Sequence, residues 1–106
     1  MTQTELYTAL LTLGLPVAYS HFKEARLPPF ICYLYRYDND LKADNTNADS
    51  ADAYDIEFYA AAKDPVNEAA IEAMLTTNQL PYSKTENWIS EENMLQVTYE
   101  IQITGG

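Results

Sequence analysis

Glycine, cysteine, histidine and basic side chains are all scarce in this chain of 106 residues, and each scarcity excludes something. The three glycines are Gly14, Gly105 and Gly106, so no glycine-rich loop can wrap backbone N–H groups around a phosphate. Cys32 and His21 are the only residues of their kinds, so one chain can build neither a Cys/His zinc centre nor an internal disulfide. A single cysteine fits a chain folded in a reducing compartment. Cys32 lies in the apolar run Phe30-Ile31-Cys32-Tyr33-Leu34 and reads as a buried small hydrophobe, with no local pattern joining it to His21 as a nucleophile and its base. Six Lys plus Arg stand against 16 Asp plus Glu, a formal net charge of −10. Such a surface repels phosphate, which argues against direct nucleic-acid binding and against an anionic membrane surface. No apolar run approaches the roughly 18 residues of a membrane helix. The first basic residue is Lys23, and Glu5 stands where a secretory leader would be basic, so the chain reads as soluble and without an export signal.

What is present fits one small globular domain. Apolar residues make up 47% and charged residues 21%, a balance that argues against intrinsic disorder. At this length folding buries about two thirds of the extended-chain surface, enough for one core. Nine tyrosines are the compositional excess. A tyrosine ring packs while its hydroxyl bonds, which suits half-buried sheet faces and protein interfaces.

The patterning predicts helix, strand, strand, helix, strand, strand. Over 2–14, Thr2 and Glu5 have the capping-box spacing, Leu6, Leu10 and Leu13 form an apolar stripe with Tyr7 and Leu11 beside it, and Gly14 and Pro16 close the helix. The segment 17–27 has no clear period and carries the only local basic cluster, His21, Lys23 and Arg26. Pro28-Pro29 then forces an extended entry to a strand over 30–37. One face of that strand carries Phe30, Cys32 and Leu34; the other carries Ile31, Tyr33, Tyr35 and Tyr37. Residues 38–50 are a long polar loop with almost nothing to bury. Residues 52–62 alternate, with Tyr54, Ile56, Phe58 and Ala60 facing one way and Asp55, Glu57 and Tyr59 the other. Asp64 and Pro65 have the chemistry of an N-cap and first helical position, and Val66, Ala70, Ile71, Met74 and Leu75 form the expected buried stripe, with Glu68 and Glu72 facing water. A weaker strand over 82–89, a polar turn at Glu91-Glu92-Asn93 and an alternating strand over 94–103 complete the order, and 104–106 reads as a loose end. The fold expected is an α+β two-layer sandwich: a mostly antiparallel sheet of two hairpins with both helices on one face.

A search for chemistry returns little. Asp55 and Glu57 share a strand face about 6–7 Å apart, but carboxylate pairs arise by chance on so acidic a chain, and a solvated face is the better reading. The run from Asp38 to Asp49 opens like a calcium loop and then fails: Lys42 and Ala43 stand at its fifth and sixth positions and Asp49 at its twelfth. The expectation is no enzyme, no metal and no cofactor.

The order of several short segments resembles small tail proteins of Firmicutes siphophages and their prophages. The segments are Leu15-Pro16-Val17-Ala18-Tyr19, then Phe22, then Pro28-Pro29-Phe30-Ile31-Cys32-Tyr33; Ala43-Asp44-Asn45; Asp55-Ile56-Glu57-Phe58-Tyr59; Lys63-Asp64 with the helix bearing Glu68, Ile71, Glu72 and Leu75; and Trp88-Ile89-Ser90-Glu91-Glu92 followed by Gln96-Val97-Thr98-Tyr99-Glu100-Ile101. The likeness spans nearly the whole chain, and its specificity lies in order and spacing. It implies a tail terminator or tail completion protein: a homo-oligomer, hexameric in the virion tail, made in the bacterial host cytoplasm, that stops tube growth and meets the tail tube protein and the head–tail connector. Tyr33, Tyr35 and Tyr37 are then candidates for a packing or interface face, and Asp44 and Asn45 for loop contacts. Two other classes compete. Net −10 suits an acidic DNA mimic that occupies a basic host protein, and Asp55 with Glu57 would serve a small enzyme.

Overall fold

The computed structural model describes residues 1–36 and 52–103. The expectations placed on Tyr37, on the 38–50 loop with Asp44 and Asn45, and on 104–106 lie outside the described residues. The fold is α+β: among the described residues there are two helices and a five-stranded, mostly antiparallel sheet.

Helix α1 is Gln3–Leu11. Its capping box forms as the sequence predicts: the Glu5 N–H donates to Thr2 Oγ1 (3.1 Å), and the Thr2 N–H donates to Glu5 Oε1 (2.8 Å). The helix stops three residues before Gly14, whose φ of +80° is a left-handed conformation that glycine adopts without strain. Strand β1, Val17–Tyr19, was not expected: three residues in a segment without period give no pattern to read. β1 pairs in parallel with strand β2, Phe30–Tyr35, through Val17 opposite Ile31 and Tyr19 opposite Tyr33. Strand β3, Asp52–Ala60, runs antiparallel to β2. Helix α2, Pro65–Thr77, follows, with the Asp64 side chain accepting from the Asn67 N–H (3.1 Å). Strands β4, Ser83–Ile89, and β5, Met94–Ile103, form an antiparallel hairpin. Its turn ends at Asn93 in the left-handed region (φ +53°), a conformation Asn tolerates better than most residues. The sheet order is β1-β2-β3-β5-β4, so the two predicted hairpins meet through β3 and β5.

Register decides which face each side chain takes. Ile31 lies opposite Phe58, which lies opposite Val97; Tyr33 lies opposite Ile56, which lies opposite Tyr99. These residues join Leu6 and Leu10 of α1 and Ile71, Met74 and Leu75 of α2 in one buried cluster, so both helices cover that face. Each fully buried Leu or Ile stabilises the fold by about 1.5–3 kcal/mol relative to exposure. The stripe expected on α2 needs three corrections. Val66 and Ala70, one helical turn apart, are both exposed, because the packed face centres on the line through Glu68, Ile71 and Leu75. Glu68, expected in water, is only 3% exposed. Two lysines from neighbouring elements reach it, and sequence periodicity along one helix carries no sign of such partners.

Phe30 and Cys32 point to the face opposite the helices and are also buried. The chain itself covers them: the segment between β1 and β2 folds back so that Phe22 meets Phe30 edge to face, 5.4 Å between centroids. That explains the apolar residues on both faces of β2 without a partner molecule.

Candidate functional site

Tyr33 and Tyr35, singled out on the strand pattern, lie on the helix-covered face. Tyr33 is 5% exposed and belongs to the core. It stacks on Tyr7 of α1 (6.0 Å) and meets Tyr19 of β1 edge to face (5.2 Å). Tyr35 meets Tyr54 at 5.5 Å, and its backbone N–H donates to the Tyr19 hydroxyl (3.0 Å). The Tyr54 hydroxyl donates to Gln3 Oε1 of α1 (2.9 Å). The strip read from the sequence is therefore an inner layer of a larger tyrosine cluster. Its outer members are Tyr7 and Tyr19, both partly exposed beside the β1 edge of the sheet. Sequence reading missed them because neither lies on the alternating strand.

The opposite edge of the sheet is β4, which contains no buried residue. Trp88 is half exposed there, and Tyr82, one residue before the strand, is also exposed and lies edge to face on Tyr99 (5.4 Å). β4 is fixed to the helical layer by charge. Lys84 Nζ donates to Glu68 Oε1 (2.8 Å) and to Glu72 Oε2 (2.6 Å). Lys63 Nζ donates to Glu68 Oε1 (3.0 Å) and to Glu86 Oε1 (2.6 Å). The Tyr99 hydroxyl donates to Glu72 Oε2 (2.9 Å). Burial pushes the Glu68 carboxyl up, but the bonds from Lys84 and Lys63 outweigh it and hold it below the usual carboxylate value. Glu72 is held low chiefly by Lys84. Glu68 Oε2 has no hydrogen-bond partner among the described residues.

The open face of the sheet holds the remaining candidates. Asp55 accepts from Arg36 Nε (3.0 Å), which fixes it in an ion pair. Glu57 accepts from the Tyr59 hydroxyl (2.9 Å), which in turn accepts from Gln96 Nε2 (2.8 Å). Burial, with a smaller contribution from Asp55, raises the Glu57 carboxyl against the opposing Tyr59 bond. A groove of about 610 Å³ lies next to them, floored by Phe30, Cys32 and Tyr59 and walled by His21, Phe22 and Arg26. The fold thus brings Cys32 and His21 to one groove, which the sequence did not indicate. Burial, and then Glu57, push the Cys32 thiol up to about 11, which favours the protonated thiol at neutral pH. Among the described residues no group of three or more His, Cys, Asp or Glu is placed to hold a metal ion. No helix among them is long and apolar enough to cross a membrane.

No protein-family model matches the chain, and no curated protein matches it. The surfaces themselves therefore carry the functional argument.

Proposed function

We propose that the chain is a structural subunit of a phage or prophage tail, which caps or completes the tail tube and joins it to the head connector through ring assembly. The observation that carries this reading is the placement of exposed large apolar side chains at both edges of one sheet: Tyr7 and Tyr19 beside β1, Trp88 and Tyr82 beside β4. A subunit that is adhesive at two opposite edges can hold one neighbour on each side, which is the requirement for a closed ring of identical copies. The ordered resemblance to siphophage tail proteins supplies the tail, the tube protein and the connector as its setting. Light scattering across a wide concentration range, at low and high salt and with or without tail tubes, tests the reading. A six-fold particle is expected, and salt should favour it by screening repulsion between subunits of net charge −10. A failure to form that particle under all these conditions, with capture of a basic nucleic-acid-binding protein that weakens as salt rises, would overturn it in favour of the acidic inhibitor.

A further inference from the structure

Among the described residues β4 is paired on one side only, with β5, so its other side offers a row of backbone donors and acceptors that none of them pairs. Lys84 and Glu86 on such an edge normally repel a foreign strand. Their arrangement about Thr85 does the opposite for one particular partner. Outward from Thr85 stand Lys84 and Glu86, then Ser83 and Asn87, then Tyr82 and Trp88. Charge meets opposite charge, small polar meets small polar, and aromatic meets aromatic. We infer that β4 is a self-complementary edge on which a second copy of this chain docks antiparallel, about a two-fold axis through Thr85.

Geometry selects this register. A two-fold axis that sets two edge strands antiparallel and side by side stands perpendicular to the sheet. Both helical layers then lie on the same side, and the axis passes through one residue of each strand. An axis at Lys84 would set Lys84 against itself, and one at Glu86 would set Glu86 against itself; like charges directly opposite are destabilising. An axis at Thr85 sets Lys84, already bonded within its own chain to Glu68 and Glu72, opposite the second copy's Glu86, which its own chain bonds through Lys63, and Trp88 opposite its Tyr82, all on the helical side, so the charges face one another in opposite sign without having to leave their own partners. Both aromatic rings are exposed in the single chain and gain a partner. Thr85 and its counterpart then face each other on the open side, with Cβ atoms about 5 Å apart. The contact is isologous and closes on itself, so it does not propagate into a ring. The dimer occupies the β4 edge that the ring reading also uses, so the two contacts are alternatives, and the cross-link below tells them apart.

The chain has one tryptophan, and it lies in this seam, so its emission reports the contact directly. On concentration the mass should rise from 12.0 kDa to twice that value, with a blue shift of Trp88 emission. Trp88→Ser should weaken association by about tenfold or more, the ordinary weight of a central aromatic anchor. In a Cys32→Ala background, Thr85→Cys should give a covalent dimer on mild oxidation, and Asn87→Cys should not, because its counterpart is Ser83. A constant 12.0 kDa mass with unchanged emission overturns the inference. So does a dimer that Trp88→Ser leaves intact, or one that Asn87→Cys locks as readily as Thr85→Cys. A six-fold particle without the Thr85→Cys cross-link would overturn the dimer and leave the ring reading standing.

Discussion

Lys84→Met is the perturbation that most directly tests how the outer strand is held. Lys84 donates to Glu68 at 2.8 Å and to Glu72 at 2.6 Å, and methionine keeps most of the side-chain volume while removing both bonds. Glu68 is then left buried with Lys63 alone, and Glu72 with Tyr99. Two hydrogen bonds to charged groups would be worth about 3–6 kcal/mol in full. The Lys84 side chain is 34% exposed, and water screens part of that, so the expected cost is about 2 kcal/mol. For a domain of this size that lowers Tm by about 10 °C. Urea is the right denaturant, since guanidinium would screen the charges under test. The measurement belongs at concentrations where Trp88 emission no longer changes on dilution, so that only the single chain is weighed. The pH dependence follows from the direction of the shifts. Glu68 and Glu72 are held below their ordinary values, so their contribution is present above the unfolded carboxylate pKa and lost as pH falls through the folded values. Lys84 is held above its ordinary value, so its contribution is lost only as pH rises through that raised value. The gap between Lys84→Met and the parent should be widest near neutrality and close in acid. A gap of less than about 0.5 kcal/mol at neutral pH, the weight of an ordinary surface pair, would refute the reasoning. So would a gap that persists after the carboxylates are protonated.

Three further outcomes follow from the fold. Tyr33→Ala should cost about 3–5 kcal/mol in urea unfolding, as removal of a buried ring does; a cost below 1 kcal/mol, on the order of a surface change, would move Tyr33 out of the core. Asp64→Ala removes the N-cap of α2 and should cost about 1 kcal/mol, with Asp64→Asn nearly silent. Cys32 should react with a thiol reagent far more slowly in the folded protein than in urea, because it is buried and protonated; equal rates would show the groove floor open.

Most of the fold was legible because its signals are local. The capping box at Thr2 and Glu5, the Asp64-Pro65 helix start and the period-two alternation of β3 and β5 each need only a few neighbouring residues, and each appears where the pattern put it. β1 was not legible, since its three residues gain their strand conformation from pairing with β2 and not from their own sequence. Burial of Glu68 was not legible either. Position 68 falls on the same helical face as Ile71 and Leu75, but its charge put it in water, and nothing along the helix announces Lys84, which arrives 16 residues later on a different element. Tyr33 and Tyr35 were read as a packing or interface face, and of the two Tyr33 packs in the core. Alternation puts Tyr33 and Tyr35 on one face of β2, but only the docking of α1 decides that this face is inside and that Tyr7 and Tyr19 are its exposed border.

The chain's few cations bear on where the proposed contacts between copies would lie. Arg36, Lys63 and Lys84 are all committed to carboxylates of the same chain, two of them to fastening β4 and the third to Asp55 on the open face. The acidic excess that remains repels other copies wherever two broad surfaces approach, and that repulsion weakens only with salt. Contacts between copies, as proposed, would therefore draw on groups that cost little to bring together: backbone edges and aromatic rings. Exposed aromatic rings lie beside β1 and along β4, while the exposed aliphatic residues Leu11, Leu27 and Val66 lie elsewhere. On the proposed self-association, a net charge of −10 and edge-to-edge contact would work together, the charge disfavouring broad contacts and the edges offering narrow ones.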